Sequence, residues 1–142
     1  CWESYSGSLS LLQSGIIWEP ISVNSYGSCD GTNQPILEGI FINNASYIIL
    51  DGLNISSSGS SAISISGASV LHNIQVLNSS LSAPNSECMV AENVDTINIQ
   101  NNIFINFQRY ENFCFIDLNT FVIFFKLKFK NIFWNLWCSI WP

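Results

Sequence analysis

Apolar and polar residues alternate in three short segments, YIILDGLNI (47–55), NIQVLNSSL (73–81) and TINIQNNIFI (96–105), which recur about every two dozen residues. Aligned on Leu50, Val76 and Ile99, each segment places a Gly or an Asn two positions later, at Gly52, Asn78 and Asn101. Gly lacks a Cβ and Asn bonds locally through its short amide, so both tolerate the left-handed backbone conformation. A left-handed corner at the same point of every repeat predicts strands wound into a solenoid.

Two longer series extend the pattern. One runs Ile21, Ile48, Ile74, Ile97, Ile123 with Val23, Leu50, Val76, Ile99, Phe125, and the other Ile40, Ile63, Cys88, Cys114 with Ile42, Ile65, Val90, Ile116. They predict two strands per coil, stacked in parallel register with like over like, about 4.8 Å apart. A single coil cannot hide its own inward side chains, whereas neighbours above and below cover them, each buried Ile or Val contributing about 1.5–3 kcal/mol. Corner Asn side chains are expected to link successive coils. On that basis a β-branched residue at Asn101 should be more damaging than one at Asn102.

The pattern divides the chain into an N-terminal cap (1–20) carrying Trp2, Tyr5, Leu9, Leu11, Leu12 and Trp18, coils (21–112), and an aromatic tail (113–142). In the tail the register is expected to persist through Cys114, Ile116, Ile123 and Phe125 and to fail at Leu127, which takes the corner position. The tail is either a partial coil acting as a lid or an aberrant translation. Asp117, Lys126, Lys128 and Lys130 cut it into apolar stretches shorter than the roughly 18–20 residues of a membrane span.

The charge pattern narrows the partners. Net charge is −6, and Arg109 is the first basic residue, so residues 1–108 hold eight acids and no Lys or Arg. Nucleic acid, which is held by clustered cations, is excluded as an expectation, and anionic polysaccharide would need a bridging divalent cation. Neutral sugars meet no such barrier. Cysteines at 1, 29, 88, 114 and 138 lack zinc-ligand spacing. Sequons at Asn44, Asn54 and Asn78 and the Ser/Asn-rich composition fit an extracellular or cell-surface protein. A start at Cys1 without Met reads as a mature or truncated piece.

The stretch from Ser14-Gly15 through Pro20-Ile21, Tyr26-Gly27 and Pro35-Ile36 to the strand Tyr47–Gly52 resembles the opening of right-handed parallel β-helix proteins of the pectate-lyase-like superfamily. The resemblance covers roughly residues 7–107 and implies an all-β, right-handed parallel β-helix of about four to five coils, comprising the N-terminal cap and first coils. It implies little about activity, because that scaffold carries lyases, hydrolases, epimerases, adhesins and tailspikes. Relatives are generally longer and carry their active sites on middle coils, so a fragment without a complete active site is expected. The alternatives are a Ca²⁺-dependent polysaccharide lyase with catalytic coils downstream and an adhesin or tailspike-type structural protein.

Candidate chemistry is sparse. The lyases that the chain resembles use Arg or Lys as base, which singles out Arg109, while a surface ion pair with a neighbour such as Glu111 is the plainer role. Glu87, Glu92 and Asp95 are the candidate calcium ligands, although calcium takes about six to eight oxygens and a solvated acidic edge explains them as well. His72 precedes Asp95 by one coil length, which would stack them about 5 Å apart as either an acid–base dyad or a polar corner pair. Phe41, Met89 and Phe115 share a phase one residue off the inward series, with Ser64 between them. They are expected to face outward, as a saccharide track or as a docking face for a missing segment.

Overall fold

The computed structural model describes residues 7–25, 36–105, 116–117 and 123–127. Its strands follow the chain in successive passes: β1 (Ser8–Leu11), β2 (Ile21–Asn24) and β3 (Ile36–Leu37); β4 (Gly39–Asn43), β5 (Ile48–Asp51) and β6 (Asn54–Ser56); β7 (Ile63–Ser66), β8 (Ile74–Leu77) and β9 (Ser80–Ser82); β10 (Met89–Glu92) and the long β11 (Ile97–Ile105); and β12 (Ile116–Asp117) with β13 (Ile123–Leu127). The described residues contain no helix, and every strand pairs in parallel with its counterpart in the next pass.

Each full pass visits three strand positions, one more than the alternation predicts. The first sheet is ordered β1-β4-β7-β10-β12, and the second contains β2-β5-β8-β11. β11 turns the corner and continues alongside β9, β6 and β3 as a third face. The third strands are short and each buries only one or two apolar residues, Ile55 on β6, Leu81 on β9 and Phe104 on the end of β11. A strand that contributes so few inward positions shows no alternation to read.

Leu50 pairs with Val76 and Val76 with Ile99, all three essentially inaccessible, and Ile48, Ile74 and Ile97 repeat the arrangement one step along. Gly52, Asn78 and Asn101 have φ values of 66°, 49° and 55°, so the corner is left-handed at each repeat. Asn78 Nδ2 donates to Asp51 Oδ1 at 2.7 Å and Asn101 Nδ2 to Asn78 Oδ1 at 3.3 Å, which links three passes along the outside of that corner. Asn102 lies inside it, fully buried, and with Ser79 forms a second and tighter ladder. The burial of Asn102 points to the opposite ranking of the two asparagines.

The first sheet departs from the predicted alignment by one residue. Met89 rather than Cys88 pairs with Ile63, and Ala91 rather than Val90 pairs with Ile65 and Ile116. The connections 57–62 and 83–88 are equal in length, so the step that sets Ser56 beside Ser82 carries unchanged into the next strands. Cys88 is nonetheless buried, with its thiol donating to the Leu81 carbonyl at 3.6 Å.

The first pass begins earlier than the repeat suggests. Ser8–Leu11 is a strand in register with Gly39–Ile42, and Leu9 and Leu11 pack against the core. Leu12 and Trp18, expected to cover the core, stand exposed instead, Trp18 at 88%. Trp18 belongs to a tight loop closed by an antiparallel bridge between Ile16 and Glu19, Leu12 directly follows β1, and Trp2 and Tyr5 lie outside the described residues. In the last pass Ile123 and Phe125 pair with Ile97 and Ile99 as expected. The register then skips Asn101, so Leu127 sits opposite Asn102 and the fifth pass lacks the extra corner residue. No described helix is long and apolar enough to cross a membrane.

Candidate functional site

Between the first and second sheets the chain turns a corner whose inside is lined by Ala45, Leu71 and Val94. One residue further on, Ser46, His72 and Asp95 form an outer row. Ser14 Oγ accepts from Ser46 N at 2.9 Å, Ser46 Oγ accepts from His72 N at 2.9 Å, and His72 Nδ1 meets Asp95 Oδ2. Four passes are thus tied by side chains along one line, and the expected His72–Asp95 contact is present. The next row begins with Tyr47 at φ 58°, a conformation that bulky side chains rarely adopt. It is held there by Tyr47 N donating to His72 O at 2.8 Å and by Ile21 N donating to Tyr47 O at 3.0 Å.

With Nδ1–H donating to a carboxylate, a neutral imidazole keeps its lone pair on Nε2, the arrangement of a proton acceptor. The His72 side chain is 50% exposed and the Asp95 side chain 33%, so the pair stands at the surface rather than in a cleft. The neighbouring hydroxyls of Ser14 and Ser46 are occupied in backbone bonds that hold the corner. In this setting the pair joins two neighbouring passes at the surface.

The three candidate calcium ligands do not converge. Glu87 Oε2 accepts from Ser86 Oγ at 2.9 Å in the connection before β10, Glu92 is exposed at the end of that strand, and Asp95 is taken by His72. Among the described residues no three His, Cys, Asp or Glu side chains gather as a metal site. Arg109 and Phe115 lie outside the described residues.

Phe41 does lie on the outer face of the first sheet, as its phase predicts, half-buried between its in-register neighbours Ser10 and Ser64. Met89 does not join it. Its side chain is fully buried, because the one-residue shift described above turns it inward and brings Val90 into line with Ser64 instead. The outer row is therefore Ser10, Phe41, Ser64 and Val90. The adjoining rows carry Ser8 beside Gly39 and Asn43 beside Ser66, so the face is serine-rich and uncharged until Glu92. Ser10 escaped notice in the sequence because the segment before residue 21 shows no left-handed corner to align it.

No known protein family, curated protein or solved structure matches the chain.

Proposed function

We propose that this chain is a right-handed parallel β-helix, similar to the pectate-lyase-like proteins, that works outside the cell by engaging neutral polysaccharide and carries no complete active site among the described residues. The observation that supports this most directly is the outer face of the first sheet, where hydroxyl and carboxamide side chains surround Phe41 with no cation anywhere in residues 1–108. Stacked parallel strands present such a face as a flat strip, with side chains repeating about every 4.8 Å, which suits a long chain of repeating units better than a small molecule. An acidic surface without Lys or Arg disfavours uronates and nucleic acids and leaves uncharged glycans unopposed.

Native gel electrophoresis through neutral polysaccharides tests the reading. Retardation in one or more of them, without release of reducing ends, is the expected result. Unretarded migration in all of them would remove it. Chelator-sensitive production of an ultraviolet-absorbing unsaturated product from uronate polymers would make the protein a lyase, and trimerisation with cell binding would make it an adhesin.

A further inference from the structure

We propose that Phe41, lying over Gly39 and flanked by Ser8, Ser10 and Ser64, is a stacking platform for one hexopyranose unit of a neutral glycan. The inference rests on the functional reading above and gives it a specific subsite. In a strand, residues two apart share a face, so Gly39 and Phe41 both belong to the outer side of β4. A Cβ built on Gly39 would stand 3.7 Å from Phe41 Cε2 and 3.6 Å from Ser8 Oγ. The ring therefore leans back along its own strand toward the space that the missing side chain leaves, and it is only half-buried there.

Two features make the exposed part of that ring suited to a sugar. The axial C–H groups of a pyranose form an apolar plane that packs on an aromatic face, whose negative quadrupole favours polarised C–H. The rim of the same pyranose is a ring of hydroxyls, and the in-register serines place donor–acceptor groups on either side of Phe41, each about one strand spacing or 4.8 Å away. Ser10 lies on one side and Ser64 on the other, with Ser8 opposite Gly39. Asn43 and Ser66 continue the polar surface in the next row. Neither of the two strands beside Phe41 offers an apolar in-register partner, so the ring is not part of a protein-facing cluster on this sheet. Charge selects the sugar class: the exposed Glu38 adjoins Gly39 and Glu92 ends the outer face two strands on, and both repel uronates and sulfated glycans and are indifferent to neutral ones.

The experiment uses the whole chain in native gels containing hydroxyethylcellulose, with a polygalacturonate gel as the anionic comparison. The wild-type protein should be retarded in the first and not the second, and Phe41→Ala should weaken the apparent affinity at least about threefold, as loss of one aromatic stacking contact requires. Phe41→Trp should retain retardation, and its added indole emission should shift when cellohexaose is titrated in, a change absent from the wild type. If Phe41→Ala fails to fold, as read by its thermal melt, the Trp titration decides alone. Equal retardation of Phe41→Ala and wild type, or an indole signal blind to saturating cellohexaose in a gel-retarded protein, overturns the platform and leaves the broader reading standing. A wild-type protein unretarded by every neutral polysaccharide overturns both.

Discussion

Asn102 Oδ1 accepts a hydrogen bond from Ser79 N at 2.8 Å, joining residues one pass apart inside a corner where water does not reach. The same carboxamide donates to Val76 O at 2.7 Å, and Ser79 Oγ in turn accepts from Leu53 N at 3.1 Å. Three passes are thereby connected through backbone groups that the turn would otherwise leave unpaired. Replacing Asn102 with Leu strands a buried N–H and a buried C=O and should destabilise the protein by about 2–4 kcal/mol. Asn101→Val, at an exposed position with φ 55°, should lose only about 1–2 kcal/mol through backbone strain. Urea denaturation of the two variants measures the order, and a larger loss at Asn101 would contradict the buried ladder.

The one-residue offset in the first sheet separates two neighbours that differ little in chemistry. Met89→Ala opens a cavity in the core and should destabilise by about 2–5 kcal/mol. Val90→Ala, on the outer row, should change stability by about 0.5 kcal/mol or less. Thermal melts of both variants check the register, and the opposite order would restore the alignment through Cys88 and Val90.

Legibility in the sequence followed how many independent signals fell on one residue. Leu50, Val76 and Ile99 were legible because alternation, spacing and a left-handed Gly or Asn two positions later all agree on the same phase. At 88–91 the residues Cys, Met, Val and Ala are all apolar, so alternation is satisfied in either phase and only the length of the preceding connection decides between them. Nothing in the sequence sets Asn102 apart from Asn101 as the buried partner, since composition does not say on which side of a turn a carboxamide falls. His72 and Asp95 were paired by spacing alone, but the hydroxyl bonds from Ser14 and Ser46 that extend their row come from three-dimensional neighbours in earlier passes.

His72 and Asp95 meet at the surface, where solvent weakens the attraction between charged groups. His72→Ala should therefore lower stability by no more than about 1 kcal/mol. A double-mutant cycle with Asp95→Asn should yield a coupling of about 0.2–1 kcal/mol. A coupling several times greater would mean that the pair is a principal tie between passes.

Gly15 sits where the Ile16–Glu19 loop docks on the neighbouring pass, donating to Ser46 O at 3.0 Å. An added Cβ would lie 2.6 Å from Ile21 N and 2.7 Å from both Pro20 Cα and Tyr47 O, all backbone atoms that cannot step aside individually. Gly15→Ala should destabilise by about 1–3 kcal/mol. Amide hydrogen exchange should accelerate at Gly15 and Ile21 while the Leu50–Val76–Ile99 stack stays protected. Unchanged exchange at those two amides would show that the loop accommodates the methyl group.

Because Ile48, Ile74 and Ile97 pair in register with their counterparts directly above and below, each pass accepts a neighbour bearing the same inward residues. A tandem duplication spanning residues 48–73 would bring its own corner and its own apolar row, and would find matching surfaces on both sides. Unequal recombination at such a locus can therefore lengthen the protein by whole turns without inventing new packing, so descendants of one ancestral gene can differ in length while sharing every contact type.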